Sequence, residues 1–243
     1  QSVAIGTNAL QSNTAAGNLA IGADALTNNS TGAQNTAVGT YTLDANTTAD
    51  NNTALGHSAL TTNTTGASNT AVGKSALGTN STGSYNTAVG HNALVLATTA
   101  DNNTALGYAT LFANTTGHNN VAVGNCMIAN TTGYQNTAIG NSALHANTTG
   151  QFNTAVGNTT LSANTTGQKN VAVGAYTLDA NTEGDFNTGL GYHSLSENTT
   201  GEKNTAIGMY SLDANTTADN NTALGYNGLS VNTTGHSNTA IGA

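Results

Sequence analysis

The chain has 243 residues and a mass of 24.1 kDa, with 6% charged and 5% aromatic residues, 29 Gly, and neither Pro nor Trp. Small side chains dominate, and the charge content lies far below the ~25% of an ordinary domain, which excludes both a typical enzyme composition and a charge-rich disordered chain. Three Lys and Arg against 11 Asp and Glu give a net charge of −8, with no basic cluster to neutralise phosphates, so nucleic acid and anionic membrane surfaces are poor partners.

From the N-terminus onward the chain is a repeat. The motif N-T-A-V-G returns with its glycine at Gly6, Gly22, Gly39, Gly56, Gly73, Gly90, Gly107, Gly124, Gly140, Gly157, Gly174, Gly191, Gly208, Gly225 and Gly242. The spacing is 17 residues in twelve intervals and 16 in two. The consensus N-T-A-V-G-x-x-A-L-x-x-N-T-T-G-x-x defines seventeen positions, and residues 1–243 read as one repeat array with no second domain. A unit this short cannot hold a helical hairpin, and its N-T-T-G corner would break any helix. The predicted fold is therefore all-β: a parallel β-solenoid of about fourteen 17-residue coils. Stacked at about 4.8 Å per coil, these would make a rod about 65 to 70 Å long.

Each coil opens on a predicted strand, N-T-A-V-G. Its alternation is read with the position-four aliphatic inward and the position-three Ala outward or against a neighbour. A second, shorter strand is predicted to start at the Ala-Leu pair of positions eight and nine. Position four is always aliphatic, and position nine is Leu except at Ile128, beside which Met127 is the large exception at position eight. The expected core is therefore Val38, Leu43, Leu55, Leu60, Val72, Leu77, Val89, Leu94, Leu106, Leu111, Val156 and Leu161. Asn at positions one and twelve reads as two stacked hydrogen-bonding ladders. Position five is invariably Gly, as expected of a corner that needs positive φ. Of the fourteen charged residues, thirteen fall in the six x positions and only Glu183 does not, which marks the x positions as the solvent face.

Two aliphatics per coil make a thin core, worth about 3 to 6 kcal/mol, against about 1 to 2 kcal/mol of backbone entropy for every residue ordered. A second packing surface is expected. Position two is Thr in most coils but Val3, Leu19, Val121 and Val171 in others, an interchange that fits a semi-buried contact. The expectation is a homo-oligomer, with three chains side by side.

The strands Ser2-Val3-Ala4-Ile5-Gly6, Asn120-Val121-Ala122-Val123-Gly124 and Asn204-Thr205-Ala206-Ile207-Gly208 resemble the S-V-A-I-G signature of YadA-like trimeric autotransporter adhesin heads. Similar N-T-A-x-G arrays also resemble segments of phage tail-fibre proteins. The resemblance implies a left-handed parallel β-roll packed as a trimer, extracellular, on a cell surface or a virion fibre. Its repeat of 17 rather than about 14 residues and its N-T-T-G corner depart from the adhesin pattern. Neither end carries an atypical capping coil, so a segment of a longer fibre is expected, or a filament joined end to end.

The x positions hold the candidate chemistry. Exposed rings for stacking on a glycan or anchoring a host-surface protein are Tyr85, Tyr134, Phe152 and Phe186 at position seventeen, and Tyr108, Tyr192 and Tyr226 at position six. The histidines His57, His91, His118, His145, His193 and His236 scatter among positions and read as solvated. Asp50, Asp101, Asp185 and Asp219 share position sixteen, and Asp44, Asp179 and Asp213 share position ten. Calcium is conceivable there, but the glycine-aspartate nonapeptide of calcium-binding β-rolls is absent, and solvated charge is the stronger reading. No nucleophile elbow or Ser/His/Asp grouping stands out, and Cys126 has no partner for a disulfide or metal site. The expectation is a non-enzymatic protein without cofactor or metal. Neither a signal peptide nor a run of about 18 apolar residues is read, so no membrane insertion is expected in this segment. Asn46, Asn63, Asn114, Asn130, Asn147, Asn164, Asn198, Asn215 and Asn232 each begin an N-T-T sequon, which is modifiable only if these side chains face outward. The proposed role is attachment through many weak, repeated contacts. An alternative is ice binding by stacked Thr, which paired outward threonines would favour.

Overall fold

A computed structural model describes residues 1–242. The chain divides into two compact units, Gln1–Asn120 and Val121–Ala243, and each is a parallel β-solenoid. The first holds β1 (Val3–Ile5), β2 (Leu19–Ile21), β3 (Thr36–Val38), β4 (Thr53–Leu55), β5 (Thr70–Val72), β6 (Thr87–Val89) and β7 (Thr104–Leu106). The second holds β8 (Val121–Val123), β9 (Thr137–Ile139), β10 (Thr154–Val156), β11 (Val171–Val173), β12 (Thr188–Leu190), β13 (Thr205–Ile207), β14 (Thr222–Leu224) and β15 (Thr239–Ile241). Within each unit every strand pairs in parallel with its sequence neighbour, one coil apart, so that Val72 lies opposite Val89 and Ala155 opposite Ala172. With about fourteen turns of some 17 residues and no helix among the described residues, the architecture is an all-β solenoid.

The faces of the strand are the reverse of those expected. Position-three Ala is buried in coil after coil (Ala20, Ala37, Ala54, Ala71, Ala88), while positions two and four both point outward. Val38, Leu55, Val72, Val89, Leu106 and Val156 are thus not core residues: Leu55 is 46% exposed, Val89 37%, and Val38, Val72 and Val156 are half-buried. The cause is width. Across the interior, position three meets positions eight and nine of the preceding coil, and at Gly189 an added Cβ would stand only 2.6 Å from the Thr177 methyl and 3.5 Å from Leu178 Cδ1. A methyl at position three of that coil would already touch Leu178 and crowd Thr177, so a larger aliphatic has no room on this side and takes the other side of the strand.

The position-nine leucines Leu43, Leu60, Leu77, Leu94, Leu111 and Leu161 are fully buried. They do not begin a second strand. The leucines and Met127 have φ between 48° and 55°, and positions seven and seventeen are left-handed too (Tyr41, φ 57°; Asn51, φ 62°). Alternating left-handed residues turn the chain through a corner where an extended segment would carry it straight on. Only Thr159 among these left-handed residues is β-branched, because a branched Cβ clashes hardest in that conformation. This explains why position nine accepts Leu but never Val, whereas the extended position four accepts Val, Ile and Leu alike. It also corrects the register of the 16-residue coil at Gly124. There Met127 takes the buried left-handed site, φ 49°, Cys126 takes position eight, and Ile128 stays half-buried at the next position.

Two buried Asn ladders close the interior. At position twelve, Asn46 Nδ2 donates to Asn29 Oδ1 at 2.7 Å and to the Ala49 carbonyl at 3.1 Å, and Asn63 repeats the pattern on Asn46 at 3.0 Å. At position one, Asn35 Oδ1 accepts the backbone N–H of Asn52 at 2.9 Å, and Asn52 Nδ2 donates to the Gly66 carbonyl at 2.9 Å. Satisfied in this way, the amides convert buried polarity from a cost into a device that fixes register.

Candidate functional surfaces

The outward strand face is the first candidate surface. Positions two and four present Thr, or an aliphatic at Val3, Leu19, Val121 and Val171, beside a row of Ile, Val and Leu, and no charged residue occurs in either row. Parallel pairing repeats this two-row pattern about every 4.8 Å. The expected semi-buried character of position two therefore extends to position four, so the surface is twice as wide as the sequence suggested.

The x positions show how each polar candidate is used. At position sixteen, Asp50 Oδ1 accepts the Ala33 N–H at 2.7 Å, Asp101 that of Ser84 at 2.7 Å, Asp185 that of Gln168 at 2.7 Å and Asp219 that of Glu202 at 2.8 Å. His236 Nδ1 does the same for the Asp219 N–H at 2.9 Å. These acids cap the backbone of the preceding coil, and among the described residues no group of three or more His, Cys, Asp or Glu is placed to hold a metal ion. The repeated hydroxyls of position thirteen are equally engaged: Thr47 Oγ1 donates to the Thr64 carbonyl at 3.1 Å and Thr64 Oγ1 to that of Ser81 at 3.0 Å. Cys126 is buried, with its thiol 3.6 Å from the Ala138 carbonyl oxygen, and burial pushes its pKa up to about 12, far from a reactive thiolate. The sequon asparagines Asn46, Asn63, Asn114, Asn130, Asn147, Asn164, Asn198 and Asn215 are buried in the position-twelve ladder.

The aromatic candidates separate into singles, pairs and one cluster. Tyr85 stands exposed, and Tyr108 lies 5.6 Å from His91. Tyr134, which lies at position sixteen rather than seventeen because Gln135 takes the left-handed position, meets Phe152 edge to face at 5.3 Å, and Lys169 Nζ sits 4.8 Å from the Phe186 ring centre. Tyr192 and Tyr226, by contrast, join three position-seven residues: Tyr176 and Tyr210, which the sequence reading left out, and His193, which it read as solvated but which lies among the rings. Tyr176 stacks on His193 at 5.1 Å and 25°, and His193 faces Tyr210 at 5.6 Å and 35°. Tyr192 meets Tyr176 and Tyr210 edge-on at 86° and 84°, and Tyr226 meets Tyr210 at 75°. The signal available in the sequence was the run of four tyrosines in four consecutive coils; the left-handed bend at position seven, which turns both positions to one corner, was not visible there.

Two carboxylates titrate unusually. Burial, then the charge of Asp24, raises the pKa of Asp44 above 3.8. Burial is also the main cause of the raised pKa of Asp179, reinforced by Glu197 and Asp213, while His193 opposes it. Neither a protein-family model nor a curated protein matches the chain.

Proposed function

We propose that the chain is a non-enzymatic segment of an extracellular surface or virion fibre, assembled from copies of itself, three by resemblance to trimeric adhesin heads, and attaching through contacts repeated along its coils. One observation carries this reading: in each unit the outward strand face repeats, coil after coil, two uncharged rows of Thr and aliphatic side chains. Contiguous exposed apolar surface marks an interaction site, and a second copy offers the same repeat distance, so one favourable contact recurs at every coil. Sedimentation equilibrium tests it. Discrete trimers are expected, and a monomer at tens of micromolar protein would overturn it.

The orientation of positions two and four favours one further reading, ice binding, since both rows lie on the flat outer face. That reading needs the face uncovered. Thermal hysteresis from a monomeric sample supports it, and a trimer without hysteresis removes it.

A further inference from the structure

We propose that the corner built by Tyr176, Tyr192, His193, Tyr210 and Tyr226 is a stacking site for an extended, uncharged β-linked polysaccharide lying along the direction in which the coils succeed one another. The proposal names the partner class for the attachment role above and rests on that reading, but it uses a different face from the one assigned to association.

Position seven is held left-handed and position sixteen caps backbone, but the coil nowhere requires an aromatic ring at positions six and seven, which other coils fill with Asn, Ser, Thr or Ala. In the first unit, positions six and seven carry two tyrosines, Tyr41 and Tyr108, four coils apart. In the second, Tyr176, Tyr192, Tyr210 and Tyr226 occupy four successive coils. Their geometry divides the work. Tyr176 stacks on His193, and His193 lies tilted against Tyr210, so the three rings follow one another from coil to coil as a pillar. Tyr192 and Tyr226 stand nearly perpendicular to that pillar, so their ring planes run along the coil direction. They are 43% and 51% exposed. Two coils separate them, about 9.6 Å, close to the disaccharide repeat of an extended β-1,4-linked chain. Pyranose faces carrying axial C–H groups suit such flat aromatic surfaces.

The polar surroundings select among sugars. Asp179 lies within electrostatic reach of Glu197, Asp213 and His193, and its Oδ1 is buried without a hydrogen-bond partner. Carboxylates accept hydrogen bonds from sugar hydroxyls, and the three lysines of the chain lie elsewhere, at Lys74 in the first unit and at position seventeen as Lys169 and Lys203. An anionic glycan would meet repulsion with nothing to offset it. Toward the N-terminus, two preceding coils form a shallow depression lined by Ser142 and Thr159 at position seven, His145 and Ser162 at position ten, and Ala163 at position eleven. The Ser162 hydroxyl there donates to the Asp179 carbonyl at 3.3 Å. Small hydroxyl-bearing side chains leave room for further sugar residues beyond the rings.

Titration calorimetry with cellohexaose, chitohexaose and an oligogalacturonate tests the proposal. At least one uncharged hexasaccharide is expected to bind and the polyanion not to. Tyr192→Ala and Tyr226→Ala should each weaken binding by about tenfold, while Tyr41→Ala in the first unit leaves it unchanged. Circular dichroism and melting of each variant separate loss of the site from loss of the fold. No heat with millimolar hexasaccharide, preference for the polyanion, or full binding by the folded Tyr192→Ala/Tyr226→Ala variant would overturn it. Sedimentation of the same samples reads association separately, so trimers that bind no sugar defeat this proposal and leave the assembly standing.

Discussion

At position nine, a residue is chosen for its backbone as much as for its bulk. Burying a Leu side chain contributes about 1.5 to 3 kcal/mol, while holding a non-glycine residue left-handed costs about 1 to 3 kcal/mol. The site persists because Leu supplies the apolar volume without branching at Cβ. Met127 shows that an unbranched substitute is accepted. Leu77→Ile is therefore expected to lower stability by about 1 to 3 kcal/mol more than Leu77→Met, although Ile and Leu have nearly equal volumes. Urea midpoints of the two variants decide this, and equal midpoints would refute it.

Asp44 gives a second prediction at the same scale. Its folded pKa is raised, so its protonated form is favoured by folding. The associated stability is fully present below the ordinary value of 3.8 and is lost as pH rises through the raised folded value. At pH 7 the charged carboxylate is held against burial and Asp24. Asp44→Asn should therefore melt higher than the parent protein near neutrality, with the gap closing below pH 3.8. Melting curves across that range check the sign.

The coil joins these residues into ladders, and a ladder is exposed to a single missing rung. Ala97 stands where the other coils carry Asn at position twelve, and Asn80 Oδ1, which would accept from it, is buried without a partner. Ala97→Asn should restore the ladder and raise stability by about 1 kcal/mol. Thermal melting that shows no gain would mean that the neighbouring coils have closed over the gap. The corner at position five tolerates no such editing: Gly73 has φ +133°, and an added Cβ would stand 2.6 Å from the Gly90 carbonyl oxygen.

Much of this element can be read from sequence, because stacking makes each position answer to one environment. The period, the buried Leu, the two Asn ladders and the solvent positions all follow from which residues recur. The direction of the strand faces does not. Alternation places Thr36 and Val38 on the same side without saying which, and the larger side chain was the natural choice for the interior. What decides is the width left opposite Leu43 and its equivalents, a distance that periodicity does not encode. The position-sixteen aspartates were likewise found, but a column of acids does not display the backbone N–H groups it caps.

Across the molecule, the same arithmetic that makes the interior thin makes the surface regular. Every coil adds one aliphatic and a Thr, Val or Leu to the outer strand face, and neither row carries a charge in any of the strands. Association through this face predicts that Val72→Lys or Val89→Lys, which leaves the Leu core and the Asn ladders untouched, yields folded but dissociated chains. Sedimentation velocity beside circular dichroism reads both, and a folded Lys variant with unchanged mass would exclude this face from assembly.

The interior position of the position-twelve amides bears on where such a chain can be made. In a secretory pathway that transfers oligosaccharides to nascent polypeptide, the N-T-T acceptors emerge before any coil has closed over them. Once glycosylated, Asn46 or Asn63 would keep only one of the two N–H donors that its place in the ladder uses, and a bulky sugar has no place inside. The acceptors would thus divert the unfolded chain before winding begins, and production through that route should give heavily modified, protease-sensitive material, whereas synthesis without the transferase gives the resistant fold.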